Sequence, residues 1–406
     1  MRALPLPVLI AFRNVRRNSR RSLLTVLAIA FGLFCLIVFQ ALKAGLHREM
    51  IVSTVGLDAG SLQIHAPGYE ANLAVLSPLA APETVEAALE EAGITRHARR
   101  LKTPALVLAG PKSSSVLLSG IEPEREPEVT FIASRMIEGT YPAEGRGVLI
   151  SHGLARTLGI GIGDELTLMG QSAFGRPVVR KMPVGGIYRT DLSSFDQTHI
   201  FLSLADLQLL LETGDAITEI AASLPVGSEL DATRWLRERF GDRYLVSSWQ
   251  EIAPDVVQLI DLNDATMRLL IGIVFAIVAL GIVNTMTMVV FERFRELGVL
   301  AAIGTTPGGL IGMIVLEASF LGLFASILGT LAGGLACAWL ARHGLDLTSF
   351  TSHNQYFSTS HVLRAHLMTH DLIAANLITV ATALLAGLYP AWKASRLSPA
   401  RAIRHT

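Results

Sequence analysis

The sequence predicts an α-helical membrane protein with four transmembrane helices and an α+β extracytoplasmic domain between helices 1 and 2. Three observations carry this expectation. Hydrophobic residues make up 51% of the 406-residue chain and mean hydropathy is +0.47, values unusual for a soluble protein of this length. Four apolar runs, at 22–42, 269–291, 310–340 and 372–392, each have the roughly 20 residues that cross a hydrocarbon core. Finally, the zero net charge conceals an asymmetry: residues 47–266 hold 29 Asp or Glu against 18 Lys or Arg, a balance of −11, so the rest of the chain carries +11.

The amino-terminal segment, 1–21, sets Leu4, Val8, Phe12 and Val15 on one stripe with Arg13, Arg16, Arg17 and Arg20 largely off it. That spacing suits an amphipathic helix in the inner interface, although the arginines also serve simply to fix topology. The first span, 22–45, is too long for the apolar core of a cleaved signal and is followed by no small-residue cleavage site, so it reads as a retained anchor. Basic residues crowd the chain before this span and, as Lys393, Arg396, Arg401 and Arg404, after the last. Because such residues stay on the cytoplasmic side, both termini are expected inside. Residues 46–266 and the 341–371 loop then lie outside, and 292–309 lies inside.

Within 46–266, the runs "SLQIHA", "TPALVLAG", "SSVLLSG", "VGGIYRT" and "THIFLSL" read as strands. "APETVEAALEEAG" reads as a helix with Pro82 in its first turn and Gly93 at its end, and Ser203 with Asp206 marks another helix start. An α+β domain of one or two lobes follows. It shows no signature of catalysis. The only cysteines, Cys35 and Cys337, fall in predicted spans, so the domain has no disulfide and depends on its core. Ser248 and Glu251 open a helix that the apolar spacing carries into the second span, 267–291, either as one continuous stalk from Trp249 or as two helices with a kink.

The segment 292–309 is the most informative. Glu292 with Arg295 and Arg293 with Glu296 make opposite-charge i,i+3 pairs, and Leu297, Leu300, Ala301 and Gly304 share a helical face. Gly304 suits a left-handed helix end, Thr305 or Thr306 a cap, and Pro307 the first turn of the next helix. A rigid helix–turn–helix is expected there, which suggests a partner that pushes on it. The third span, 310–340, carries Gly322, Gly329 and Gly333, suited to close helix packing either between two chains or within one bundle. Its Glu317 is expected near the inner end, at the interface or paired. The 341–371 loop holds His343, His353, His361, His366 and His370, whose spacing matches no tight metal-ligand motif. The fourth span, 372–392, leads into a basic tail, 393–406.

The run "FERFRELGVLAAIGTTPGGLIGMIVLEASFLGLFASILGTLAGG" resembles the signature of FtsX/MacB-type (type VII) permeases of ABC transporters, with its charged stretch between the second and third spans. "ALLAGLYPAWKASRLSPARAIRH" resembles the same family's final span and tail. "RNVRRNSRRSLLTVLAIAFGLF" and "GLHREM" with "GSLQIHAPGY" are most similar to the lipoprotein-releasing branch. The resemblance implies a bacterial inner-membrane permease with a MacB-like periplasmic core domain. It makes the charged run a coupling helix on a nucleotide-binding subunit, with Glu292, Arg293, Arg295, Glu296, Leu297, Gly298 and Gly304 in that role. Two permease chains, identical or related, pair with two ATPase chains, and closure of the ATPases moves the external domains, a process called mechanotransmission. None of Lys43, Lys102, Lys112, Lys181 and Lys393 follows a glycine, as the phosphate-cradling loop requires. ATP and its magnesium are therefore expected on the partner, with no catalytic residue, cofactor or metal here.

The expected cargo is a lipoprotein or another lipophilic molecule, with a periplasmic adaptor or carrier and the lipid membrane as further partners and nucleic acid excluded. The alternative is a signalling subunit, resembling the family's cell-division member, that activates an extracytoplasmic partner and moves no cargo. A secondary transporter fits less well, since four spans provide no inverted repeats.

Overall fold

The computed structural model describes residues 13, 17, 19–69, 76–143, 145–190, 192–225, 227–346 and 362–396. The chain divides into two units. One takes its described residues from Met1–His47, Asp261–Asp346 and Val362–Thr406, and the other is built on Arg48–Ile260.

Among the described residues four helices are long and apolar enough to cross a membrane: α1 (Ser19–Thr54), α2 (Pro254–Glu292), α4 (Pro307–His343) and α5 (Thr369–Ser395), with the short α3 (Phe294–Ala302) between α2 and α4. Much of their apolar surface is outward, as in Leu24, Phe31, Leu280 and Leu335, because lipid takes the place of a second protein layer. Small residues set the inner packing. A Cβ on Gly322 would lie 2.8 Å from that of Ala383 on α5, and one on Gly329 would lie 2.8 Å from the Ala30 carbonyl of α1. At Gly333 the neighbour is Ile37 at 3.1 Å. All three glycines therefore seat α4 against helices of the same chain, so these contacts do not form an interface with a second copy.

Several polar groups inside the bundle are paired across helices. Asn376 of α5 accepts from Ser326 and, at 2.9 Å, from Thr330 of α4, and donates to the Leu372 carbonyl at 2.8 Å. Lys43 of α1 pairs with Asp264 of α2 at 2.9 Å.

The described residues of the second unit form ten strands: β1 (Leu62–His65), β2 (His97–Ala109), β3 (Lys112–Ile121), β4 (Met136–Gly139), β5 (Val148–Ser151), β6 (Glu165–Gln171), β7 (Pro177–Tyr188), β8 (His199–Ser203), β9 (Glu219–Ala222) and β10 (Leu245–Ser248). They run in the order β10-β1-β9-β2-β3-β8-β5-β7-β4, and β6 pairs with both β2 and β7. That double pairing closes β2, β3, β8, β5, β7 and β6 into a ring, which removes edges from six strands. Val107, Leu118, Ile150, Leu168, Val184 and Ile200 share its core with Leu207, Leu210 and Leu211 of the helix Leu204–Leu211.

The other lobe spreads β10, β1, β9 and the start of β2 beneath two helices, Pro82–Glu91 and Glu229–Phe240, over a core of Leu62, Ile64, Val85, Leu89, Ile220 and Leu236. The 13-residue β2 belongs to both lobes.

Between the lobes lies a buried ionic cluster. Arg100 donates to Glu126 (2.8 and 3.0 Å) and Glu219 (3.0 Å), and Lys102 reaches Asp58 (2.8 Å) and Glu219 (3.0 Å). Asp58 sits in the π-helical turn Val55–Ala59 that follows α1, and its backbone carbonyl accepts from Arg100 at 2.6 Å. Burial pushes the Asp58 and Glu219 carboxyls up, but Lys102 and Arg100 outweigh it and hold both below the usual carboxylate range.

The expected start at Ser248 is present as a capping box with Glu251. It opens only a single turn, Trp249–Ile252, before Ala253 leaves helical geometry (φ −121°, ψ 64°) and α2 begins at Pro254. A continuous helix from Trp249 is therefore excluded. Proline disfavours helical conformation in the residue before it and lacks the N–H that would join the two segments.

Candidate functional site

The charged turn between α2 and α4 is folded throughout. Arg293 leaves the helix at φ −104°, ψ 18°, and α3 starts at Phe294. The end of α3 is closed by Gly304, at φ +102°, with its N–H on the Ala301 carbonyl (3.1 Å) and that of Thr305 on the Leu300 carbonyl (3.0 Å). Thr306, rather than Thr305, caps α4 by accepting from Gly309 N–H at 3.2 Å, with Pro307 in the first turn.

Leu297 and Gly298 are buried, and Leu300 and Ala301 pack half-buried against the same core as Met286, Val290, Leu310 and Ile314. Gly304 does not share this face. It is exposed with open space around it, and its role is the turn.

The break at Arg293 redistributes the charges. With α2 ending at Glu292, the expected Glu292–Arg295 pair does not form. Glu292 instead meets Arg21 of α1 at 2.7 Å, and Arg295 is exposed. Arg293 and Glu296 do pair, at 3.0 Å.

Arg293 is itself buried, 7% exposed, and its other arm donates to Glu317 of α4 at 3.2 Å; Glu317 is 5% exposed. Arg17 donates to Glu296 at 2.6 Å, completing a charge ladder from Arg17 through Glu296 and Arg293 to Glu317. Burial pushes the Glu296 carboxyl up, but donation from Arg293 and Arg17 outweighs it and holds the carboxyl below its usual range. Glu317 is therefore an interior counter-ion and does not snorkel to the interface.

What remains outside is a compact surface of mixed character. Arg295 and Glu296 stand beside Val299 (45% exposed) and Ile303 (75% exposed), with Thr305 and Pro307 following. A packed inner face and an outer face with apolar and charged side chains together are what a protein partner recognises.

The family model for the FtsX-like permease C-terminal region matches residues 268–399, which include this turn, and the MacB-like periplasmic core domain model matches residues 22–234. The chain belongs to the FtsX/MacB family of ABC-transporter permeases.

Similar proteins include the lipoprotein-releasing system transmembrane protein LolC of Xylella fastidiosa, 24% identical over 99% of both chains. The lipoprotein-releasing system transmembrane protein LolE of Haemophilus influenzae is 24% identical, covering 98% of this permease and 99% of its own length. An uncharacterized ABC transporter permease of Methanocaldococcus jannaschii, MJ1507, is 23% identical over 97% of this permease and 96% of its own length.

Two further expectations concern regions only partly described. Most of the 1–21 amphipathic segment and the tail from 397 onward lie outside the described residues, as do His353 and His361. Among the described residues no three His, Cys, Asp or Glu side chains group as metal ligands. The sequence reading missed the Arg293–Glu317 pair. Two oppositely charged residues 24 positions apart, on either side of the expected helix–turn–helix, were its available signal.

Proposed function

We propose that the permease takes mechanical work from a separate ATPase at α3 and delivers it to the unit of Arg48–Ile260, releasing a lipoprotein or another lipophilic molecule from the membrane. The carrying observation is Arg293. A buried guanidinium held by Glu317 of α4 and by Glu296 of α3 ties the exposed helix to the bundle, so force on α3 moves α4 instead of bending a loop. The basic residues Arg17, Arg21, Lys393 and Arg396 flanking the helix ends favour a cytoplasmic position for this turn and for both chain ends, and hence an inner-membrane protein with its sheet unit outside.

In this reading, Glu292, Arg293, Leu297, Gly298 and Gly304 build the coupling helix, and Arg295 and Glu296 stand on its outer face with Val299 and Ile303. ATP and magnesium belong to a pair of ATPase chains, and a second permease chain, identical or related, completes the assembly. The lipoprotein cargo is supported by the names of the LolC and LolE relatives, which match nearly end to end.

The test is copurification of the ATPase with the permease, together with lipoprotein-stimulated ATP hydrolysis. R295A/E296A and V299A/I303A are expected to lower both while leaving the permease folded, since these side chains are exposed. Full ATPase binding and stimulation in both double variants overturns the assignment.

A further inference from the structure

The unit of Arg48–Ile260 contains a half-open cavity of about 280 Å³ to which nothing above gives a role. Its walls are apolar: Val52 and Val55 from the end of α1 and the π turn, with Phe131, Leu224 and the indole of Trp249. Its charged lining is of one sign. Glu128 and Glu229 are in the lining, and among the described residues no lysine, arginine or histidine is.

Glu229 is unusual because it is 7% exposed, forms no ion pair among the described residues, and is held only by neutral donors: Gly227 N–H (2.6 Å), Trp249 Nε1–H (3.2 Å) and Gln250 Nε2–H (3.4 Å). Buried carboxylates are ordinarily paired with a cation. Acceptors are in surplus, since Gln250 Oε1 is also buried without a donor. Exchanging that amide's O and N would set two oxygens against each other at Glu229, so the surplus is not a matter of assignment. Arg135 lies outside the lining and covers the Phe131 ring, 5.2 Å from its centroid.

We infer that this cavity binds a small organic monocation, an amine or quaternary ammonium carried on an apolar group. The carboxylate of Glu229 receives the charge, and the apolar wall, Trp249 included, takes the apolar body. The volume limits that body to about the size of an adamantyl or benzyl group, near the lower end of small-molecule sites. The inference is independent of the coupling role of α3. A lipid amine headgroup and a free organic amine share this chemistry.

The test measures calorimetric binding of adamantylammonium and of its neutral isostere adamantanol to the full chain in nanodiscs of phosphatidylglycerol, with empty nanodiscs subtracted. The cation is expected to bind roughly tenfold more tightly or better, the usual worth of a hydrogen bond to a charged partner. E229Q, which keeps an acceptor for Gly227, is expected to erase that ratio while leaving weak binding of both compounds. V52W, on the exposed side of the wall, fills the cavity without touching Glu229 and is expected to abolish both, so the inference remains testable if E229Q misfolds. Replacing half the lipid with phosphatidylethanolamine weakens adamantylammonium binding by competition if the natural occupant is a headgroup, and leaves it unchanged if the occupant is a free amine. Equal binding of the two compounds, a ratio retained in E229Q, or no binding at millimolar cation overturns the inference.

Discussion

Replacing Arg293 by alanine tests the anchor of α3 directly. At 3.2 Å and an effective dielectric of about 20, the Arg293–Glu317 attraction is on the order of 5 kcal/mol before desolvation. Both side chains are nearly inaccessible, at 8% and 7%, so solvent screens little of it. R293A leaves Glu317 as a buried charge without its partner, which costs roughly 3–5 kcal/mol. Glu296 is 47% exposed, so E296A should cost under about 1 kcal/mol after solvent screening. R293L/E317L removes both charges and is expected to lie within about 2 kcal/mol of the parent, because apolar replacement of a buried pair is often neutral. The assay is reversible unfolding of the full chain by SDS in mixed micelles, read by circular dichroism. If R293A costs no more than E296A, or the double variant is as damaging as the two singles added together, Arg293 is not the clamp described.

Two further outcomes follow from the packing and the charge cluster. G329V is expected to destabilise the bundle by about 1–3 kcal/mol in the same assay, because a Cβ there already falls 2.8 Å from the Ala30 carbonyl, whereas G334A, with open space, should be neutral or slightly stabilising; equal effects at the two sites would refute the intrachain contact. In the sheet unit, the lowered Asp58 and Glu219 carboxyls mean that the folded state binds fewer protons than the unfolded chain, so their contribution is complete above the ordinary carboxylate value of about 4 and is lost as pH falls below it. Sheet-unit unfolding followed by circular dichroism should show stability falling below about pH 4, and a flat profile down to pH 3 would contradict the network.

Four spans, a mixed domain between the first two and a short helix and turn within 292–309 were legible because each rests on local signals. These are the lengths of apolar runs, the period of polarity, and the turn chemistry of Gly304, Thr306 and Pro307. The break at Pro254 was passed over: the apolar spacing across it, at Ile252, Val256 and Leu259, misleads because periodicity carries no information about a missing N–H. The pairing of Glu292 is different in kind. Helical spacing offers Arg295, but the one-residue break at Arg293 turns the carboxylate toward Arg21, which is 271 positions away.

The sequence by itself determined that this chain crosses a membrane, where its interruption lies and that Gly304 closes the short helix there, because hydrophobic length and capping act over a few neighbouring residues. Only the tertiary structure decided that β6 closes a ring by pairing β2 and β7, that Gly322, Gly329 and Gly333 face partners within their own chain, and that Arg293 is buried against Glu317. These outcomes depend on which distant surfaces meet. A buried charge or a glycine acquires its energetic meaning from the atoms placed opposite it, and local sequence does not record them.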